Sequence, residues 1–237
     1  MTTLQGIITK SIDNANVQFE SLGFVTTNVA NFNTVGYKKQ SFENYLKDNG
    51  KIEGTLRTDY AAGMLYATRK PLDIAVDGAG FIPVTTKDGA FVYTRDGSLT
   101  TNSQGYLVTQ DGCIVGDGVK VPTNYYKLKI MGDGSVTVID ERDVEPRTIG
   151  KIPLVVFNAP ERLESIGNNK LARTRESGNP MLVSDHQRIK QGNLERSNVN
   201  IFASVEEVLR INASMISSIR LIKVTDELYR QSINLRQ

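Results

Sequence analysis

Two stretches at opposite ends of the chain carry apolar residues spaced by three and four, and the region between them does not. Near the N-terminus Ile8, Ile12, Ala15, Phe19, Leu22 and Val29 keep that rhythm, interrupted only at Thr26, while Lys10, Asp13, Asn14, Gln18 and Glu20 occupy the other face. The spacing predicts one amphipathic helix of roughly 25 residues, with Gly36 as a left-handed stop just beyond it. Near the C-terminus Val205, Val208, Met215, Ile219, Ile222, Tyr229 and Ile233 repeat the pattern, widened by Leu209, Ile216, Leu221, Val224 and Leu228. Asn212 and Asp226 fall on this seam, either as polar groups that fix register or as positions turned to water. Ser204 with Glu207 fits a capping box, which predicts a helix of some 30 residues from there.

From about residue 70 to 195 the period changes to two. Segments such as "FVYTRDGSLT", "YYKLKIMGDGSVTVI" and "IGKIPLVVF" are short apolar or alternating runs divided by turn signals. Asp-Gly occurs six times there, at 77–78, 88–89, 96–97, 111–112, 117–118 and 133–134. Glycine after aspartate supplies the positive φ of tight turns, so an all-β domain is predicted. The fold class is therefore α+β: long terminal helices over 1–36 and 200–237, a partly extended connector over 37–70, and an all-β middle domain over 71–199. A self-contained β domain leaves the two apolar stripes to pair with each other as a coiled coil, and any remainder to meet neighbouring molecules. The pattern is that of a building block.

Composition removes several classes of function. Lys and Arg number 28 against 26 Asp and Glu, so no nucleic-acid or acidic-lipid partner is indicated. The single cysteine, Cys113, forms no internal disulfide, and in its apolar run it reads as a buried structural thiol. No run of about 18 apolar residues exists, so no membrane insertion is expected. The first residues lack the basic start, apolar core and cleavage site of a secretory signal.

The candidate chemical motifs have plainer readings. The Asp-Gly pairs do not form an EF-hand loop or a calcium β-roll repeat, so no metal is expected there. "GDGSVTV" lacks both glycine-rich nucleotide patterns. Ser184, Asp185 and His186 are adjacent in sequence, whereas triad members meet through the fold; His186 reads as a surface or turn residue. Tyr125 and Tyr126 read as one ring in the core and one on the surface rather than a stacking platform. Glu206–Glu207 and Asp226–Glu227 read as charges on a helix. No catalytic, cofactor or metal site is predicted.

Four segments, in order, resemble the bacterial flagellar rod and hook proteins. "NVANFNTVGYKK" is similar to the N-x-A-N-x-N-T-x-G-[YF]-K signature of that family. "RKPLDIAVDGAGFIPV" and "YTRDGSLTTNSQGYLVTQDG" are similar to two of its middle segments. "QGNLERSNVN" before a long helix is similar to its C-terminal junction. The four together cover most of the chain. The resemblance implies a basal-body rod protein of the periplasm, whose terminal helices form a coiled-coil inner domain and whose middle is an outer β domain. It also implies export through the flagellar type III apparatus without a cleaved signal, and partnership with copies of itself and with other proximal and distal rod proteins. The distal rod and hook proteins carry a "Q-R-A-Y-E" run in the last helix, where this chain reads "INASMISSIRLIK". That departure and the short length favour the proximal over the distal rod.

On this reading Ile8, Ile12, Phe19, Leu22, Val29, Val205, Val208, Met215, Ile219 and Ile222 are assembly residues. Asn28, Asn31, Asn33, Gly36, Asn198 and Asn200 form two polar hinges at the ends of the helical zone. The competing reading from another class is a β module that binds glycan or peptidoglycan while its helices dimerise. It requires a deep pocket of convergent polar groups within residues 70–195.

Overall fold

The computed structural model describes residues 4–47, 52–140, 145–183 and 188–234, with the side chains of residues 4, 5, 232 and 233 outside that description. Ser184, Asp185, His186 and the side chain of Ile233 therefore lie outside the described residues. The architecture is α+β, with one helix at each end of a β-rich middle. By its internal contacts the chain divides into two units, Met1–Phe32 with Lys39–Asp59 and Val199–Gln237, and Asn33–Lys38 with Tyr60–Asn198.

The first unit holds helices α1 (Leu4–Ala30) and α2 (Ile201–Asn234) and a hairpin of strands β1 (Gln40–Leu46) and β2 (Ile52–Thr58). The strands pair antiparallel from Gln40 opposite Thr58 to Leu46 opposite Ile52. They pack on α1, where the ring of Phe42 stacks on Phe24 with centroids 5.2 Å apart. The hairpin occupies most of the stretch expected to be a connector.

The two helices pack along each other, and only part of their apolar stripes, such as Ile8, Leu22, Val208, Met215 and Ile222, is even half-buried. Among the described residues of α2 the buried positions are Ser204, Ile211, Ser218 and Thr225, a seven-residue repeat that is mostly hydroxyl-bearing. On α1 they include Ser11, Ser21, Val25 and Asn28. Asn14 Nδ2 donates to Ser218 Oγ at 2.8 Å. An antiparallel register through that bond sets Ser21 opposite Ile211 and Asn28 opposite Ser204, in agreement with the burial on both helices. Small side chains leave room for the backbones to approach, and two of the hydroxyls bond a helical carbonyl: Ser218 donates to Ser214 O and Thr225 to Leu221 O. Asn212 and Asp226 are exposed, so neither lies on the seam. The seam was misplaced because periodicity follows apolar residues, whereas small hydroxyls take the interior here.

The predicted caps also move. α2 begins at Ile201 rather than at Ser204, because Asn200 Oδ1 accepts the Ala203 N–H at 3.2 Å. Ser204 lies inside the first turn, its hydroxyl donating to Asn200 O at 2.9 Å, so the expected capping box does not form. α1 ends at Ala30, and Gly36, with φ of +67°, lies in a turn well past the helix.

The second unit is the β region. A seven-stranded antiparallel sheet runs in the order Glu164–Gly167, Lys170–Ala172, Phe91–Thr94, Ile82–Thr85, Ile114–Val115, Leu107–Thr109, Leu99–Thr101. A three-stranded sheet comprises Lys127–Ile130, Ser135–Ile139 and Arg147–Lys151. Alternation places Val136 and Val138 in one core with Ile82, Val84 and Val115, where Cys113 is also buried. Tyr125 packs against that core and Tyr126 is exposed, as expected from their adjacency. Five of the six Asp-Gly glycines have positive φ. The sixth, Gly97, is there for space: a Cβ on it would come within 1.8 Å of Ile74 O.

Strands β3 (Leu65–Ala67) and β4 (Ile74–Val76) begin this region, and its last two strands return beside them. Asn193–Glu195 pairs antiparallel with β3 and Ile189–Gln191 with β4. The chain thus leaves the β region next to where it came in.

Candidate functional site

The hinge residues behave differently from one another. In the helical unit, Asn28 is buried beneath the end of α1. Its Nδ2 donates to Gln40 O at 2.6 Å and its Oδ1 accepts the Gln40 N–H at 2.9 Å. One amide thus satisfies both backbone groups of the first residue of β1, as a neighbouring strand would. Asn31 Nδ2 donates to Thr27 O at 2.9 Å and closes the last turn of α1. Asn200 caps α2 as described. Asn33, in the other unit, is exposed.

Within the β-rich unit, segment 36–38 runs against segment 195–198. The Gly36 N–H donates to Glu195 O at 2.8 Å and the Asn198 N–H to Tyr37 O at 3.4 Å. Asn198 Nδ2 also reaches Ala61 O at 3.2 Å. A Cβ on Gly36 would lie 2.6 Å from Arg95 C and O, so this glycine serves a close approach of two backbones. Gly36→Ala is expected to destabilise the β-rich unit by about 2–4 kcal/mol, from the positive φ and the backbone collision together. Gly89→Ala isolates the conformational part, because φ there is +80° with nothing within 4 Å of the added carbon. It is expected to cost about 1 kcal/mol. Urea unfolding of both variants checks the difference.

Beneath this junction lies an ion cluster that the sequence did not disclose. Glu195 Oε1 accepts from Lys38 Nζ at 2.6 Å and from the Gly63 N–H at 2.7 Å. Glu195 Oε2 accepts from Arg95 Nη1 at 3.2 Å. The side chains of Lys38, Glu195 and Arg95 are 5%, 0% and 3% exposed, so solvent screens none of these contacts. Lys38 Nζ also donates to Ala61 O, while Arg95 donates to Val76 O and Gly78 O and lies over the Phe81 ring. Burial pulls the Arg95 guanidinium below its ordinary value, and the Glu195 carboxylate opposes that pull. One carboxylate therefore holds two cations, and carbonyl oxygens meet much of their remaining donor capacity. Each member lies inside a segment singled out above: Lys38 in "NVANFNTVGYKK", Arg95 in "YTRDGS" and Glu195 in "QGNLERSNVN". That shared membership was the available signal.

The predicted assembly residues divide by exposure. Ile12, Phe19, Val29, Val205 and Ile219 are exposed on the helices, Phe19 at 68%. Ile8, Leu22, Val208, Met215 and Ile222 are half-buried. On the β region, an open depression of about 550 Å³ is lined by Pro83, Phe91, Tyr93, Val155, Ala172, Arg173 and Pro180. Among the described residues that line it the one charged side chain is Arg173, whose Nη1 donates to Asn179 Oδ1 at 2.7 Å. This mostly apolar, shallow surface does not have the convergent polar groups that a glycan site requires.

Comparison with known proteins adds sequence relatives. Residues 75–138 match a family described as the flagellar hook protein FlgE/F/G D1 domain. The flagellar basal-body rod protein FlgG of Caulobacter vibrioides is 29% identical over 241 residues, covering 90% of this chain and 92% of the relative. FlgG of Bacillus subtilis is 28% identical, covering 91% and 93%. The flagellar basal-body rod protein FlgF of Caulobacter vibrioides is 30% identical, covering 90% of each chain.

Proposed function

Because the chain belongs to the flagellar basal-body rod protein family, we propose that it polymerises helically as a structural subunit of the rod and transmits torque across the periplasm. The rod proteins of this family are structural, and no catalytic role is indicated for the chain. The observation that carries the finer reading is the mismatch between the two faces of the helix pair. Among the described residues its buried positions combine Ser11, Ser21, Asn28, Ser204, Ser218 and Thr225 with the apolar Val17, Val25 and Ile211, while the larger Phe19, Phe202, Val205, Leu209, Ile216 and Ile219 stand exposed. Burying a large apolar side chain contributes roughly 1.5–3 kcal/mol, so the free energy available to these helices lies mainly in contacts with other molecules.

On this reading α1 and α2 enter a coiled-coil inner domain of the rod, and the β region stands outside it. Partners are further copies and other rod proteins, reached after export by the flagellar type III apparatus. "INASMISSIRLIK" in place of the "Q-R-A-Y-E" run supports a position in the proximal rod.

Hydrogen exchange tests the proposal. In dilute monomer the amides of residues 4–30 and 201–234 are expected to exchange fast, and to become protected on assembly. Those of the β-rich unit are expected to be slow in both states. Helices fully protected in dilute monomer would refute assembly-driven ordering.

A further inference from the structure

Residues 33–38 belong to the β-rich unit, although the chain on both sides of them, through residue 32 and from residue 39, belongs to the helical unit. The stretch lies between the end of α1 and the start of β1. The Tyr37 N–H donates to Thr34 O at 3.3 Å and closes a turn. Gly36 stands at the third position of that turn, where a positive φ favours glycine.

The turn meets the β-rich unit as a bound peptide meets its receptor. Asn169 Nδ2 donates to Val35 O at 2.7 Å, the Gly36 N–H donates to Glu195 O at 2.8 Å, and the Asn198 N–H donates to Tyr37 O at 3.4 Å. These bonds engage backbone and do not depend on side-chain type. Two further features do select by residue. Gly36 passes so close to the Arg95–Asp96 peptide that a Cβ would lie 2.6 Å from Arg95 C and O and 2.9 Å from Asp96 N. Lys38, two residues on, places its ammonium 2.6 Å from both Glu195 Oε1 and Ala61 O. A segment fits these walls when it carries a glycine turn followed by lysine.

The walls are held by bonds of their own. Asn169 O accepts Thr94 Oγ1 at 2.9 Å. Glu195 lies opposite Leu65 in the ladder with β3, and its carboxylate is fixed by the Gly63 N–H and Arg95 Nη1. Arg95 is fixed in turn by Val76 O and Gly78 O. None of these bonds involves residues 33–38, so the rest of the unit builds the site independently of the turn that fills it.

We propose that the β-rich unit carries a peptide-binding site for a glycine turn followed by lysine, filled here by residues 33–38 as a releasable ligand, and that it accepts such a segment in trans from a separate polypeptide. The contacts lie within one unit of one chain, so the site stands whether or not the helices assemble. A ligand tethered at both ends refills its site at an effective concentration on the order of millimolar, and this keeps the site occupied in the single chain. Release opens a pocket whose carboxylate, Glu195, is already paired on one side with Arg95 and needs a second cation from whatever enters.

Binding of a synthetic peptide to the full-length chain tests this. The probe is a fluorescent peptide that copies residues 31–40, NFNTVGYKKQ. The receptor is the chain with Gly36→Ala and Lys38→Met together, which displaces its own turn and leaves every wall residue in place. Fluorescence anisotropy is expected to show saturable binding to this variant. The wild-type chain, whose own turn competes, is expected to bind the probe at least about tenfold more weakly. A peptide carrying Lys38→Met is expected to bind the variant at least about tenfold more weakly than the probe, because it lacks the charged donor to Glu195. A variant with a cooperative urea transition that took up neither peptide, or both equally, would overturn the proposal.

Hydrogen exchange on the wild-type chain gives a second readout that needs no substitution, and it decides alone if the double variant does not fold. The Gly36 amide is expected to exchange at least about tenfold faster than the Phe81 amide, which bonds Val155 O in the same unit. Equal rates for the two amides would show that the turn leaves only when the whole unit unfolds. The turn would then be a fixed part of the unit, and the proposal wrong.

Discussion

Glu195→Gln is expected to lower the unfolding free energy of the β-rich unit by about 3–5 kcal/mol, the usual cost of breaking a buried ion pair from one side. The change keeps side-chain volume and one carbonyl acceptor, so the loss is electrostatic. It leaves Lys38 and Arg95 as two buried cations with no carboxylate between them. Lys38→Met is expected to cost less, because Glu195 then still faces Arg95 as a neutral pair. The order of the two variants therefore tests whether the charge balance matters more than the number of hydrogen bonds. Urea titration followed by a probe in the β region measures both. A Glu195→Gln unfolding free energy within about 1 kcal/mol of wild type would show that the cluster contributes only packing.

Phe19→Asp and Ile219→Asp are each expected to abolish rod assembly and swimming while the β region keeps its wild-type unfolding midpoint. Both residues are exposed in the single chain, so neither substitution removes a core contact. The penalty arises only when another molecule covers the site and an unpaired carboxylate must be desolvated, at several kcal/mol. At 1.4 kcal/mol per tenfold, that weakens each contact by roughly a hundredfold or more. Light scattering on purified protein and swimming in complemented cells are the measurements. Normal swimming in both mutants would place the assembly surface elsewhere.

Much of this architecture was legible in the residues. The three-four spacing located both helices, and alternation with Asp-Gly turns located the β region between them. The four family-like segments, in order, pointed to the rod proteins. The helix seam was not legible, because a pattern search weights apolar side chains, and Ser204, Ser218 and Thr225 are buried for their small size and their bonds to helical carbonyls. Of the apolar residues it found, Ile8, Leu22, Val208, Met215 and Ile222 are half-buried and Ile12, Phe19, Val29, Val205 and Ile219 are exposed. The ion cluster was hidden for a related reason. A charged residue is read as solvated by default, and Lys38 and Glu195 are 157 positions apart, with Arg95 100 positions from Glu195. Asn28 illustrates the middle case. Its segment marked it as a junction residue, but only the fold reveals that it stands in for a strand beside Gln40.

The bonds between segments 36–38 and 195–198 also bear on how the chain responds to mechanical tension. Consider a pull applied to the two ends of the polypeptide. The backbone bond from Gly36 to Glu195, and the pairing of Lys38 with the same glutamate, join the incoming and outgoing segments before the intervening residues can be stretched. The force crosses at that clasp, and the sheet behind it stays outside the stressed path until the clasp ruptures. Antiparallel strands loaded from one end otherwise unzip a pair at a time, beginning here with Leu65 opposite Glu195. Glu195 is thus both the first point of the β-rich unit to bear the load and the place where the chain has concentrated its buried charge.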